Sequence, residues 1–445
     1  MVDLPAADLL QDEIKNTRIL IVNWKSYRQS QMISEEDFEF INAFDSEKNE
    51  INKQQILDRY GKNAAKALTN LIGQIARDQT VRYLLTMVDD ILTMNKENIM
   101  IFHEHAVTLG QQAWTPFVTL LSRPDKFICN QAARISAKLA TFGKLRFSSA
   151  ESDGYLSWIR GQLTPHNAEW LTATTSALMI MLRAQCYRKP IVEHGIVDQL
   201  MEVLATRNQG FQLQYQVVCC FWLISFTCAD ELFKKQIMVP VCDVLRQTEK
   251  QKVSRICLAV FRNLIENCNS DKARDICSSL IGCKAQKSIQ VLTEKQLEDE
   301  EMEEDLKIVV AKLSEVEQNL SSFEEFCSEV NSGRLSWSPV HTNNKFWREN
   351  AQRLVEKDYK ILRRLTHILE TDQNTECLSV GCHDLGEFVT HYPRGRQVID
   401  EISAKQTVMQ LMAHQDQTVR YNALIAVQKM MVNNWAILGR QIGVN

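Results

Sequence analysis

Three side chains in the last quarter of the sequence have the spacing of a metal site carried by a helix. His383, Glu387 and His391 occupy positions i, i+4 and i+8, which would place two imidazoles and a carboxylate on one helical face. However, Gly386 interrupts this run, Pro393 ends it, and no fourth ligand is apparent. The alternative is an ordinary helix face near a turn, and we predict no bound metal.

A second pair of histidines, His103 and His105, flanks Glu104. A separation of two points the imidazoles to different sides of a helix, whereas helix metal sites use separations of three or four. We therefore expect a solvated helix end at this position. The sequence also has no CxxC pair, so zinc knuckles and thioredoxin-type redox chemistry are unsupported.

Nucleotide chemistry would need a phosphate-binding loop, and none is visible. Gly61-Lys62 and Gly143-Lys144 lack the upstream glycine and the following Ser or Thr of a GxxxxGK[ST] motif. No nucleophile stands at a recognisable strand–turn–helix elbow. We expect no catalytic residue, no cofactor and no small-molecule substrate, and an enzyme would need a constellation of unfamiliar spacing.

Two polar connectors, which read ETDQNTE and HYPRGR, are candidates for contact with a partner protein. The second combines a helix-ending proline and glycine with two arginines, whose planar guanidinium groups pair well with carboxylates. The alternative for both connectors is a plain inter-helix turn with solvated charges. The candidate contact residues are Glu370, Asp372, Glu376, Arg394 and Arg396.

The elements that position these residues are predicted from a repeated hexapeptide, DQTVRY, at Asp78–Tyr83 and again at Asp416–Tyr421. Each copy opens an amphipathic run, and its aspartate is a suitable helix cap because the carboxylate can accept a bond from an unpaired backbone N–H. The predicted apolar faces consist of Val81, Leu84, Leu85, Val88, Ile91 and Leu92 in the first run, and of Val419, Ala423, Leu424, Val427, Met430 and Met431 in the second.

The same apolar register recurs between these copies. It starts at Val81, Ile128, Leu171, Leu213 and Val253, at intervals of 47, 43, 42 and 40 residues, and returns at Leu378 and Val419, 41 residues apart. Thr174 and Thr175 weaken the third stripe, whereas the fifth is regular through Phe261. A period of this length is typical of armadillo and HEAT repeats, in which a unit buries its apolar face only when a neighbour stacks on it.

Composition agrees with an all-helical chain. The 15 glycines among 445 residues are about half the usual share and the 8 prolines about a third, so few turns are available. No stretch shows the sustained period-two alternation of strands. We predict an all-α fold: an armadillo/HEAT-like helical-repeat superhelix followed by a second, smaller helical-repeat domain.

The boundary between the two domains is predicted near Gln318. The register is lost after Val253, and seven carboxylates crowd the eight positions of Glu298–Asp305, where like charges favour an exposed helix end or linker. Downstream, Trp337-Ser338-Pro339 cannot continue a helix, because the residue before proline is pushed out of the α region. Ser321-Ser322 offers a fresh helix cap. The predicted domains are 1–318 and 319–445.

Charge and cysteine content limit the function classes further. The 51 basic and 55 acidic residues give a net charge of −4, which argues against nucleic-acid binding. The first residues lack the pattern of a signal peptide, and the apolar run Val217–Ala229 is too short to span a bilayer. Thirteen cysteines, without framework spacing, behave as small hydrophobes in a reducing compartment. We expect a soluble cytoplasmic protein.

From about Asn16 to its C-terminus, the chain resembles the H-subunit family of eukaryotic vacuolar-type proton ATPases (V-ATPases). The resemblance is specific, because the matching stretches are long, contain tryptophan and occur in order. They are Val22–Trp24, Tyr27, Gln31–Ser34, Thr86–Asp90, Gly210–Gln216, Gly333–Leu335, Trp337–His341, Phe346–Asn350, His391–Gly395 and Val419–Leu424.

This resemblance implies a non-catalytic regulatory subunit of the cytosolic V1 sector. Such subunits are needed for coupled ATP hydrolysis and proton transport in the assembled pump, and they inhibit ATP hydrolysis in free V1. The implied partners are the E and G subunits of the peripheral stalk, the cytosolic domain of the membrane-embedded a subunit and, in free V1, the catalytic core or rotor. The implied location is the cytosolic face of acidified organelles, reached through the pump complex.

The alternative function is an armadillo-type peptide-binding adaptor in trafficking or transport. Such receptors tend to repeat Trp and Asn at one position of successive units. Here the tryptophans keep no constant offset from the repeat starts, and no asparagine ladder accompanies them. The sequence therefore favours the pump component over the adaptor.

Overall fold

The computed structural model describes residues 9–206, 210–268, 270–294, 299–317 and 322–431, and in these ranges the chain is helical without any strand. The all-α prediction is therefore confirmed. Two compact units divide the chain, Met1–Asn267 and Cys268–Asn445.

Sixteen α-helices lie in the described part of the first unit. They are α1 (Leu9–Arg18), α2 (Trp24–Gln29), α3 (Glu35–Ser46), α4 (Glu50–Tyr60), α5 (Lys62–Gln74), α6 (Asp78–Met94), α7 (Ile99–Thr108), α8 (Thr115–Val118), α9 (Lys126–Phe142), α10 (Ser149–Gln162), α11 (Leu171–Leu182), α12 (Arg188–Glu193), α13 (Ile196–Ala205), α14 (Phe211–Lys234), α15 (Met238–Gln247) and α16 (Gln251–Asn267).

Eleven α-helices are described in the second unit. They are α17 (Ser270–Gly282), α18 (Ala285–Thr293), α19 (Glu300–Glu317), α20 (Ser322–Ser332), α21 (Pro339–Thr342), α22 (Asn344–Asn350), α23 (Glu356–Thr371), α24 (Thr375–His391), α25 (Gly395–Glu401), α26 (Ala404–Leu411) and α27 (Gln417–Met431).

The repeat register of the first unit is confirmed by a series of stacked helices. α6 packs on α9, α9 on α11, α11 on α14, and α14 on α16. Each of these helices carries one predicted register start, and all five starts are buried: Val81, Ile128, Leu171, Leu213 and Val253. Each repeat thus buries its apolar face against the next repeat, as a helical-repeat fold requires.

The two threonines that weaken the third stripe are fully buried in α11. The Thr174 hydroxyl donates to the Asn130 side chain of α9 at 3.1 Å, and the Thr175 hydroxyl donates to the Leu171 carbonyl at 2.7 Å. Because both hydroxyls are hydrogen-bonded, their burial carries little desolvation cost. The apolar stripe of α11 is therefore interrupted in the sequence, but the two threonines that interrupt it are packed in the core like its apolar members.

Polar contacts fix the direction of α9 along α6. Arg82 Nε donates to the carboxylate of Asp125, the N-cap of α9, at 2.8 Å. Two turns further along α6, Asp89 binds the ammonium of Lys138 at 2.5 Å. Since later residues of one helix meet later residues of the other, the two helices run parallel.

The two copies of the hexapeptide begin their helices differently. The carboxylate of Asp416 accepts from the backbone N–H groups of Thr418 (2.8 Å) and Val419 (3.1 Å), so it caps α27 as predicted. Asp78 does not cap α6: Arg77 occupies the N-cap position, and the Asp78 carboxylate pairs with Arg123 at 2.9 Å. A guanidinium within reach has replaced the backbone donors as the partner of this carboxylate.

α14 is the one described helix that is long and apolar enough, by length and composition, to cross a membrane. It packs against α11, α12 and α16 within its own unit. Its Val217, Val218, Phe221 and Ile224 side chains are completely buried in those contacts. It is therefore a core helix, as the sequence predicts for 217–229.

The N-terminal helix lies across successive repeats and not beside one of them. α1 contacts α6, α9 and α11. Leu10 and Ile14 of α1 are buried, and Glu13 and Arg18 form ion pairs with Arg82 and Asp90 of α6. The chain's own first helix thus covers part of the surface formed by three consecutive stacked helices.

The second unit repeats the same stacking with α24 on α27. Leu378 and Val419, where the predicted register returns, are both buried. Two predicted members of the α27 stripe are not: Leu424 is 55% exposed and Met431 is 62% exposed. The prediction is wrong for these two residues, because their side of α27 has no neighbouring helix within the described part of the chain.

The compact units divide between Asn267 and Cys268, and helix α19 packs on α17 and α18 of the second unit. The carboxylates of the acidic run stand mainly at the exposed start of α19, where Met302 is buried. Gln318, Ser321 and Glu298, on which the predicted boundary partly depends, lie outside the described residues. A domain boundary near Gln318 stays a prediction.

Candidate functional site

The two predicted connectors lie at opposite ends of α24. Asp372 lies in the turn between α23 and α24, with Glu370 at the end of α23 and Glu376 at the start of α24. Arg394 lies in the turn between α24 and α25, and Arg396 is the second residue of α25. α24 has 17 residues, and a rise of about 1.5 Å per residue separates the two turns by about 25 Å. They form two surface sites and not one cluster.

The acidic connector is held by its own hydrogen bonds. The Asp372 carboxylate accepts from the backbone N–H groups of Gln373 (2.7 Å) and Asn374 (2.9 Å), so its role is to shape the turn. Glu370 is exposed and accepts from the Thr407 hydroxyl at 3.2 Å. Glu376 is also exposed, and its carboxylate accepts from the backbone N–H of Trp337 at 3.2 Å.

Trp337 is a surface residue in one of the stretches that carry the family resemblance, and no contact was predicted for it. Its indole is 41% exposed and lies edge-on to the imidazole of His383, with ring centroids 5.2 Å apart. A half-exposed tryptophan on a fixed segment is a typical anchor of protein interfaces. The available signal was the Trp337-Ser338-Pro339 sequence, which cannot continue a helix and so leaves this tryptophan in a connecting segment.

The basic connector is shaped by one glycine. The N–H of Gly395 donates to the Tyr392 carbonyl at 2.8 Å, and a Cβ at this position would lie 2.8 Å from the Cα of Val389. Only glycine fits that space, and this requirement fixes the turn. Arg394, the residue before this glycine, is exposed. Arg396, one residue into α25, is partly buried.

Behind the acidic connector, a buried imidazole lies between two carboxylates. His341 is completely buried, and its Nδ1 lies 2.8 Å from Asp384 Oδ2 while its Nε2 lies 3.4 Å from Glu329 Oε2. Burial by itself would lower the pKa of His341, but Asp384 and Glu329 outweigh burial and raise it to about 10. The imidazole is therefore protonated at neutral pH.

The same ion cluster positions the Trp337 segment. Glu329 Oε1 accepts from the backbone N–H of Ser336 at 2.9 Å and pairs with the ammonium of Lys284 at 3.0 Å. Lys284 also donates to the Ser336 hydroxyl at 2.6 Å. Burial acts to raise the pKa of Glu329, but the ion pair with the His341 imidazolium outweighs it and the pKa is lowered. The charged side chains of Glu329 and Lys284 thus hold the segment around Ser336, which lies outside the helices.

The His383–Glu387–His391 face is formed as the spacing predicts, but a cation already occupies it. The ammonium of Lys429 from α27 lies 2.5 Å from Glu387 Oε1. His383 Nε2 and His391 Nδ1 lie 3.6 Å and 3.4 Å from the Glu387 carboxylate. Among the described residues no group of three or more His, Cys, Asp or Glu side chains is arranged to hold a metal.

The expectation of a solvated helix end at His103 and His105 is wrong, because both side chains are buried. His103 Nε2 lies 3.1 Å from the Leu139 carbonyl of α9, and its ring fills the space where a Cβ at residue 143 would be. Burial lowers the pKa of both histidines. They are packing residues of the repeat, close to the helix end that the sequence indicated.

Known proteins resemble this chain over nearly its full length. Two family models, both described as the H subunit of the V-ATPase, match the chain, the N-terminal one over residues 8–313 and the C-terminal one over residues 319–435. The V-type proton ATPase H subunit of Drosophila melanogaster is 41% identical over 442 residues, which cover 99% of this chain and 93% of that protein.

A second relative, a probable V-type proton ATPase H subunit of Caenorhabditis elegans, is 38% identical and is matched over 96% of its length by 99% of this chain. Among solved structures, a designed armadillo repeat protein is 15% identical with a TM-score of 0.44, and the match covers 55% of this chain and 99% of that one.

Proposed function

Because the chain belongs to the V-ATPase H-subunit family, we propose that it is a regulatory, non-catalytic component of the cytosolic V1 sector of the vacuolar proton pump. It supports coupled ATP hydrolysis and proton transport in the assembled pump, and it inhibits ATP hydrolysis when V1 is free. The observation that carries this proposal is the pair of family matches, which together span residues 8–435 apart from residues 314–318.

The chain takes no part in catalysis itself. Neither glycine–lysine pair has a phosphate-binding sequence around it. In the structure, Gly143 closes α9 against His103, and Gly61 joins two helices, so both glycines serve packing and turns. Purified protein is expected to hydrolyse no ATP. An ATPase activity that follows this chain through several columns would overturn this part of the proposal.

Its partners are other components of the pump. They are the E and G subunits of the peripheral stalk, the cytosolic domain of the membrane-embedded a subunit and, in free V1, the catalytic core or rotor. This places the chain in the cytoplasm, peripheral to the membranes of acidified organelles. Exposed charges on Glu370, Glu376 and Arg394, with Trp337 beside them on the acidic side, are suitable contacts because loops on a rigid scaffold tend to carry recognition.

A peptide-binding adaptor is the less suitable interpretation of the same fold. Such an adaptor needs the surface of its stacked helices open to a peptide. Here α1 contacts α6, α9 and α11, and two ion pairs tie it to α6. The first part of that surface is therefore taken by the chain's own N-terminal helix.

Opposite effects in two states require different contacts in each, and a two-domain chain provides them. The part before Gln318 stays on the peripheral stalk, while the part after it moves between the membrane sector and the V1 core. The gap between the two family matches, at residues 314–318, supports a boundary there. Motion between domains is the ordinary expectation when they share a modest interface.

Titration of purified V1 that lacks this protein tests the two-domain account. The full chain is expected to inhibit ATP hydrolysis, whereas a fragment of residues 1–318 is expected to bind V1 without inhibiting it. Circular dichroism of the fragment serves as the folding control. Full inhibition by the folded fragment would contradict the two-domain switch and leave the regulatory role intact.

A further inference from the structure

The repeated hexapeptide makes α6 and α27 directly comparable, residue by residue. Position 78 corresponds to 416, so Val81 corresponds to Val419, and both are completely buried. The two helices therefore match in burial as well as in sequence. What covers each side of α6 indicates what the same side of α27 is built to contact.

One flank of α6 is covered by the next repeat. Arg82 binds the capping carboxylate of Asp125 at the start of α9, with its guanidinium 5.2 Å from the centre of the Phe127 ring. One turn later Thr86 is only 2% exposed. At the end of the same flank, Lys138 of α9 donates to the Thr93 hydroxyl at 2.8 Å.

The corresponding flank of α27 carries Arg420, Leu424 and Met431. Leu424, in the place of Thr86, is 55% exposed, and Met431, in the place of Thr93, is 62% exposed. Tyr421 beside them is also 62% exposed. α27 thus has the flank on which a repeat normally stacks, with its polar positions replaced by apolar ones.

We propose that Leu424, Met431 and Tyr421 form a docking face for an amphipathic α-helix of another protein of the pump. The positions of Leu424 and Met431 are built for helix stacking, because α9 lies parallel to α6 on their equivalents. A helix that seats on Leu424 and Met431 must present an apolar stripe, since neither residue offers a hydrogen-bonding partner comparable to the Thr93 hydroxyl.

Charge adds a second requirement for the occupant. Arg82 is neutralised by the carboxylates of Asp125 and Glu13. Arg420 instead donates to the backbone carbonyls of His414 (2.8 Å) and Gln415 (2.7 Å), and no described carboxylate pairs with it. The docked helix therefore carries Asp or Glu in or just before its first turn, where Asp125 stands relative to α9. The opposite charges bring that end of the helix to Arg420.

This inference rests on the proposed function, and binding of the full-length protein to pump particles that lack it tests both. Leu424→Asp places a charge at the centre of the face and is expected to weaken binding about tenfold or more. Val291→Asp is the matched control: Val291 is 51% exposed on α18 of the same unit, and its variant should bind as the parent does. Melting curves of both variants establish that each is folded.

The outcomes separate the two proposals. If the parent protein fails to bind the pump, the proposed function is wrong. If the parent binds and folded Leu424→Asp binds equally well, the docking face is wrong and the function stands. A photo-crosslinker in place of Leu424 identifies the occupant: a crosslink to a helix of another pump protein supports the inference. A crosslink to a second copy, or to residues 432–445 of the same chain, overturns it.

Discussion

At the scale of single residues, the completely buried imidazole of His341 lies within an ion cluster of the second unit. It faces Asp384 and Glu329 from opposite ring nitrogens, and its backbone carbonyl accepts from the Trp347 indole at 2.7 Å. Removing one member of a buried ion pair leaves the other charge uncompensated, which is far costlier than the pair is stabilising. The cluster therefore fixes α20, α21 and α24 relative to one another.

His341→Gln is expected to lower the free energy of unfolding by about 3–5 kcal/mol near neutral pH, the usual range when a buried pair is broken. Because the folded pKa is raised from 6.5 to about 10, the stability from protonation is fully present below about pH 6.5 and is lost as pH rises through about 10. The difference between parent and variant should shrink over that window in denaturation measured at several pH values. His367→Gln, at an exposed histidine of the same unit, is the control, and a difference independent of pH would contradict the charged state assigned to His341.

Phe261 tests the repeat register at one position. Its ring is completely buried in α16, as the stripe that begins at Val253 predicts. Phe261→Ala should cost about 3–5 kcal/mol, through lost burial and the cavity left behind. Phe142→Ala, at a ring that is 38% exposed, is the comparison. Equal melting temperatures for the two variants would show that the register has been misassigned.

The contacts of single residues were predictable where neighbours in the sequence alone determine them. Asp416 caps α27 as its position in the hexapeptide indicates, but the same residue at Asp78 pairs with Arg123, which is 45 positions away in sequence. His103 and His105 likewise read as a helix end, yet both are buried, His103 against the Leu139 carbonyl of α9. Tertiary partners decide such cases, and periodicity in one sequence does not reveal them.

At the scale of elements, the stacked helices were predicted well because apolar periodicity reports the buried face directly. The stripe fails only for Leu424 and Met431, on the flank of α27 that lacks a neighbour among the described helices. The candidate contacts were less predictable: the acidic and basic connectors are separated by α24, and Trp337 joins the acidic side through Glu376. The tertiary fold determines which residues a loop contacts, so the residue types in the loop do not predict its contacts.

Close approach of two helices provides an element-level prediction. A Cβ on Gly282, at the end of α17, would lie 2.7 Å from the backbone of Ser328 in α20. Gly282→Ala should destabilise the protein because backbone atoms must move apart. Gly154→Ala in α10, where nothing lies within 4 Å, should instead stabilise it by about 0.5–1 kcal/mol through helix propensity. Thermal melts of both variants test the packing, and a stabilising Gly282→Ala would contradict it.

At the scale of the whole molecule, the features point to a protein that acts by contact. The chain offers stacked helices, two fixed connectors, an exposed tryptophan and an uncovered apolar helix flank. Its described residues show no arrangement suited to a metal, and its sequence shows no phosphate loop. A regulator built in this way works through the free energy of binding to two states of a larger machine.

The most direct test measures ATP hydrolysis by two preparations that both lack this protein: free V1, and the pump reconstituted in membranes, where proton transport is followed as well. Purified full-length protein is added to each over a range of concentrations. Hydrolysis is expected to fall in free V1, whereas hydrolysis and proton transport are both expected to rise in the reconstituted pump. Bound protein that changes neither preparation, or that changes both in the same direction, would contradict the regulatory role.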